Sequence, residues 1–187
     1  KDVIKIEINY LDRTHIFPVN QKNVNVLCYK GTTKISILNK YELYGSKLAA
    51  LIARSKPRDV YDVYQMIKSH LLENTEILKK CLIFYNCIGG DANIIDFNID
   101  KFDAMSKRDF DRMLKPMLSK DEKFDYKKTI GEIQQFLKKL LCFTDDERLF
   151  VEEFKNKKYK PEKLFDDQNV ISRLCWHPMA IWRCDSK

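Results

Sequence analysis

The hydrophobic period changes once, near residue 40, and that change limits the folds open to this chain. Residues 2–11, DVIKIEINYL, alternate with period two. Val3, Lys5, Glu7 and Asn9 fall on one face, and Ile4, Ile6, Ile8 and Tyr10 on the other. Such alternation predicts a half-buried strand. VNVLCY at 24–29 and TKISIL at 33–38 predict two more, joined by the turn Lys30-Gly31-Thr32. From residue 41 the apolar residues recur at helical spacing instead. Strands that give way to helices, rather than alternating with them, predict an α+β arrangement.

The stretch 41–67, YELYGSKLAALIARSKPRDVYDVYQMI, holds the densest charge pattern. A helix is predicted over 41–55, with Tyr44, Leu48, Leu51 and Ile52 as its apolar stripe. Lys47 and Arg54, seven residues apart, share a neighbouring stripe. Pro57 disfavours helix at Lys56 and suits the first turn of a second helix. Val60, Val63, Tyr64 and Ile67 are that helix's apolar face. Asp59 sits in its first turn, where a carboxylate is favoured, and Arg58 and Asp62 are spaced to pair at i and i+4.

Further helices are predicted at 75–88, stopped by Gly89-Gly90, and at 107–115, stopped before Pro116. Others follow at 126–142, at 145–157 behind a Thr144/Glu147 capping box, and at 168–183. Residues 94–102 read as a connector. The boundary between a β-rich part and a helical part is expected near residue 70.

A formal charge of +7 points to an anionic partner, nucleic acid or nucleotide before membrane. No apolar run reaches 18 residues, so no membrane span is expected. The six cysteines form no CxxC pair and no disulfide framework, which predicts buried, reduced thiols in a cytoplasmic protein. The chain opens at Lys1 directly on a strand pattern, without Met or signal peptide, so it is expected to be a fragment.

Several residues could carry chemistry. Glu7, fixed on a strand, could hold Mg²⁺ or could simply face solvent. Lys47 and Arg54 on one face repel each other unless an anion bridges them. A triphosphate would satisfy both, the lysine as a point charge and the arginine as a fork. Neutralisation by Asp59 or Asp62 in a structural salt-bridge network would serve equally well. Lysines at 79–80, 127–128, 138–139 and 155–160, with aromatic neighbours such as Phe154 and Tyr159, could follow an RNA backbone or merely face water. No Walker A, GxGxxG, HExxH or GxSxG motif occurs, and five glycines leave no glycine-rich phosphate cradle.

YGSKLAALIARSKPRDVYDVY resembles the AbiEii/AbiGii nucleotidyltransferase toxins of bacterial abortive-infection systems, whose helices carry "EKLxAL…R" followed by "RDLYDL". The match supplies Lys47, Arg54, Arg58, Asp59 and Asp62, while Gly45-Ser46 replaces a more acidic or alanine-rich run. IKIEINYLDR resembles the family strand that precedes these helices. TDDERLFVEEFKNKKYKPEKLFDD…HPMAIWR is similar to the family tail ending in "HPxxxWK".

The resemblance implies a polymerase-β-like fold. Residues 1–70 would be the C-terminal part of its mixed sheet domain, with about three strands, and residues 71–187 an α-helical domain. It implies Mg²⁺ and NTP as cofactors, RNA as acceptor (the 3′ end of tRNA), and a cognate antitoxin as partner. Lys47 would contact the triphosphate, with Arg54 and Arg58 binding phosphate beside it. Asp59 or Asp62 would be an essential polar residue, and Glu7 a metal-binding third carboxylate. The family's glycine-serine motif and DxD pair stand early in the chain; neither occurs early here, so a fragment inactive by itself is expected. The alternative is a non-catalytic helical module that binds RNA or protein, with a purely structural hinge.

Overall fold

A computed structural model of the chain describes residues 6, 13–24, 31–70, 73–90 and 93–185. The expected strand at 2–11, with Glu7, lies outside these residues except for Ile6, and so does most of the expected strand at 24–29. Among the described residues two strands pair antiparallel: β1 (Asn20–Asn23) and β2 (Lys34–Ile37), in register Asn20↔Ile37 to Asn23↔Lys34. Val24 N–H continues the ladder to the Thr33 carbonyl at 2.9 Å. β2 lies within the expected TKISIL strand. β1 precedes the expected VNVLCY strand and consists of NQKN, which has no apolar alternation to betray it. Its register comes from pairing alone.

The remainder is helical, so the class is α+β, as expected. α1 (Lys40–Arg54) and α2 (Pro57–Lys68) are followed by α3 (Thr75–Gly89), α4 (Lys107–Met113), α5 (Tyr126–Leu140) and α6 (Asp145–Lys155). Then come α7 (Gln168–Leu174) and α8 (Pro178–Asp185), with short 3₁₀ turns at Ile99–Ala104, Lys115–Met117 and Pro161–Lys163. The Thr144/Glu147 capping box is present, with Glu147 N–H donating to Thr144 Oγ1 and Thr144 N–H to Glu147 Oε2. The expected single helix at 168–183 is in fact two. Pro178 has no N–H to continue α7 and opens α8 instead, with His177 N–H turned back to the Leu174 carbonyl at 2.9 Å.

α3 is the axis of the packing. Leu78, Cys81, Leu82, Ile83, Phe84 and Ile88 are buried on more than one of its faces, and it touches α1, α6 and α8. α1 turns Leu48, Leu51 and Ile52 into the same core, and burying each such side chain contributes roughly 1.5–3 kcal/mol. α1 and α3 approach closely because Gly45 has no side chain. A Cβ there would lie 2.6 Å from Cys81 Cβ and 2.9 Å from the backbone of Cys81 and Leu82. α2 packs on α1, α5 and α4 and buries Val60, Val63 and Met66.

The start of α1 is tied down by one carboxylate. Glu42, fully buried, accepts from Ile16 N–H at 3.0 Å, Phe17 N–H at 3.2 Å and Tyr85 Oη at 2.6 Å. His15 Nδ1 lies 3.4 Å away. At the far end, Arg183 of α8 closes α3 by donating to the Ile88 and Gly89 carbonyls, at 3.0 and 2.8 Å.

The cysteines are free among the described residues, in keeping with reduced thiols, but only Cys81 is fully buried. Cys142 and Cys175 are exposed, because each falls just past the end of a helix rather than on its inner face.

Candidate functional site

The 41–67 stretch folds into a tight helical corner. α1 ends at Ser55, whose left-handed backbone (φ 46°) lets its N–H return to the Leu51 carbonyl at 2.9 Å. Pro57 then opens α2 at its first position, where a missing N–H costs nothing. The corner brings the last turn of α1, carrying Arg54, against the first turn of α2, carrying Asp59. Each charge opposes the partial charge of its own helix end, so both placements are favourable.

Two ion pairs bridge the helices. Arg54 donates Nε and Nη2 to the two oxygens of Asp59, both at 2.8 Å, a bidentate fork. Asp59 is only 5% exposed, whereas the Arg54 side chain is about half exposed. The fork to Asp59 raises the Arg54 pKa above its already high ordinary value, so its charge is permanent. Lys47 Nζ lies 2.6 Å from Asp62 Oδ2, with both side chains part-exposed. The neutralisation that the residues allowed is therefore what the molecule shows.

Asp62 meets Lys47 across the helix pair rather than Arg58 along α2. That overturns the expected i,i+4 contact, because the crossing of α1 over α2 already delivers a cation to Asp62. Arg58 is exposed, and among the described residues no carboxylate pairs with it. Three cations against two carboxylates leave the corner one positive charge in surplus.

A cleft of about 400 Å³ opens on this corner. Arg54, Arg58, Asp59, Tyr61 and Asp62 form one wall, and Leu114, Met117 and Leu118 the other. Arg54 Nη1 has no protein partner among the described residues. The apolar wall escaped the sequence reading. Met117, beside Pro116, is 65% exposed there and belongs to no periodic face. Tyr61 also went unremarked; its hydroxyl donates to Glu122 at 2.6 Å, which raises the Tyr61 pKa and tethers the loop before α5 to α2.

Several candidates are not brought to the cleft. Glu7 lies outside the described residues. The one Asp-x-Asp of the sequence, Asp109-Phe110-Asp111, is helical: the Asp109 carboxylate caps α4 on Ser106, and Asp111 lies 3.9 Å from Lys115. Among the described residues no cluster of three or more His, Cys, Asp or Glu could hold a metal. Asp59 and Asp62 are each occupied by a cation. The described residues thus do not fit a two-metal Mg²⁺ centre.

The lysine-rich tail is largely spoken for. Lys79 pairs with Glu147 at 2.9 Å and Lys80 with Asp166 at 2.8 Å. Lys155, Lys157 and Lys160 reach Asn93, the Arg183 carbonyl and Glu153. Phe154 is buried, and Tyr159 spends its hydroxyl on the Leu174 carbonyl at 2.8 Å. Phe154 belongs to the core, and Tyr159 packs against it edge-on with ring centroids 5.8 Å apart.

No helix among the described residues is long and apolar enough to cross a membrane. Neither characterised proteins nor solved structures provide a match to this chain. One protein family does, described as "Nucleotidyl transferase AbiEii toxin, Type IV TA system", and the match runs over residues 1–138, through both helices of the corner and the far wall of the cleft. The chain therefore belongs to the AbiEii nucleotidyl transferase toxin family.

Proposed function

We propose that the protein transfers a nucleotide from an NTP, bound as its Mg²⁺ complex, to RNA, with the 3′ end of tRNA as acceptor, in the cytoplasm and under control of a cognate antitoxin. The observation that carries this reading is the α1–α2 corner. It presents Arg58 and one edge of Arg54 to a cleft, on a corner where Lys47, Arg54 and Arg58 outnumber Asp59 and Asp62. Lys47, Arg54 and Arg58 steady the phosphates of the NTP. Asp59 and Asp62 hold Arg54 and Lys47 in place, so that little side-chain entropy is lost when phosphate arrives. A triphosphate draws Lys47 from Asp62 without leaving that half-exposed carboxylate stranded in the interior.

Metal-binding is not among the roles assigned to these residues. What this chain contributes is one wall, which binds and orients anions; the metal-dependent chemistry belongs to the glycine-serine and DxD elements that the family carries.

The test is transfer of label from a radiolabelled NTP to a tRNA pool by the protein. Lys47→Ala should lower transfer by about 100-fold or more, with the helical circular dichroism signal unchanged. Full activity in that variant would remove Lys47 from the site. A second reading, a non-catalytic module that binds RNA or protein, is favoured by the saturation of Lys47 and Arg54 by carboxylates. It predicts no transfer from the wild-type protein, and partner binding that is indifferent to NTP.

A further inference from the structure

We propose that a second pocket, beside the charged cleft, holds one base of a single-stranded RNA, with lysines at its rim taking the adjoining backbone phosphates. The pocket has a volume of about 490 Å³ and is adjacent to the cleft, with Leu114 and Leu118 lining both. That volume lies in the range of sites that take a small organic group.

Its floor is aromatic. The Phe110 ring lies 5.8 Å from Phe124 and 5.4 Å from Tyr126, at interplanar angles of only 34° and 35°. Phe110 is buried, while Phe124 and Tyr126 remain part-exposed and line the pocket. Phe124 is held from behind by edge contacts with Tyr61 and Tyr64, at 5.7 and 6.1 Å. A flat ring entering from solvent therefore meets a fixed stacking surface rather than a mobile one.

The rim is cationic. Lys107, Lys115 and Lys120 line it, together with Asp111 and Glu122. Both acids are engaged: Asp111 lies 3.9 Å from Lys115, and Glu122 accepts from Tyr61 and Gln65. Among the described residues no carboxylate pairs with Lys107 or Lys120, so the charge left for a ligand is positive. These lysines stand on separate segments, at the start of α4 and in the loop before α5, and exposed Lys127 follows Tyr126 on α5. Cations spread around a rim suit successive phosphates of a strand better than the compact charge of one triphosphate.

That the bound strand is the acceptor rests on the transfer reading above; that it binds does not. Binding is measured without NTP, by fluorescence anisotropy of the chain with a labelled single-stranded RNA of about ten nucleotides. Phe124→Leu should weaken binding about tenfold, and Phe124→Tyr should restore it. Lys107→Ala combined with Lys120→Ala should lower the slope of log Kd against log salt by about 1.4. An abasic oligomer should bind weakly and with no difference between wild type and Phe124→Leu.

Equal affinity of wild type, Phe124→Leu and the double lysine variant would overturn the proposal. So would competition by an acidic peptide matching that of RNA, which reduces the pocket to a charge effect. Competition by NTPs with no response to the lysine changes would assign the pocket to the nucleotide and overturn it equally.

Discussion

α1 carries charged residues near its start and along its second half, and the two parts treat charge in opposite ways. At its start, Glu42 is sealed from solvent and meets backbone N–H groups of Ile16 and Phe17 and the Tyr85 hydroxyl. From its middle to its end, Lys47 and Arg54 meet aspartates of α2 and stay part-exposed. The first arrangement leaves no room for a substitute partner. In the second, each cation keeps an open edge, and at Lys47 a phosphate can take the place of the half-exposed Asp62 at small desolvation cost. The depth of a charge, more than its pairing, separates the structural from the exchangeable end of this helix.

Removing Glu42 should break that distinction most severely. Glu42→Ala strands two N–H groups and a hydroxyl in the interior and should cost about 3–4 kcal/mol in chemical denaturation. A loss below about 1 kcal/mol would mean that the start of α1 is no more closed than its end. Asp59→Asn comes next, at about 1–2 kcal/mol, since Asp59 is buried but Arg54 can turn to water. Asp62→Asn should cost no more than about 0.5 kcal/mol, because both partners are part-exposed. Its cost should shrink further in high salt, whereas that of Glu42→Ala should not.

A smaller effect needs no substitution. Burial, and then the charge of Glu42, push the Cys81 thiol up, while Cys142 and Cys175 face solvent. Iodoacetamide at pH 8 should label Cys142 and Cys175 in the folded protein and spare Cys81, as read by mass spectrometry of the digested chain. Rapid labelling of Cys81 would show that the region around Glu42 opens.

The helices were legible because their apolar residues recur strongly and their ends carry punctuation. Asn39 caps α1, Pro57 opens α2, and Thr144 with Glu147 caps α6. The corner was legible as a set of charges but not as a set of pairs. Whether Asp62 answers Arg58 or Lys47 depends on how two helices cross, and no spacing along one of them records that. The far wall of the cleft comes from 114–118, about fifty residues on, and nothing in Leu-Lys-Pro-Met-Leu marks it as facing Arg54. β1 was hidden because NQKN pairs through its backbone alone. The break at Pro178 was written in the sequence; the apolar residues on either side obscured it.

Gly45 carries a consequence for how freely this chain can vary. Wherever α1 and α3 touch through side chains, a change on one helix can be answered by a change on the other. At position 45 the neighbour is the backbone of Cys81 and Leu82, which no compensating replacement can trim. A library randomised across α1 and selected for folding should return one letter at position 45 and many at position 46, where Ser46 sits near the surface. The charges further along the helix keep their address because the least chemically endowed residue in the chain has no alternative.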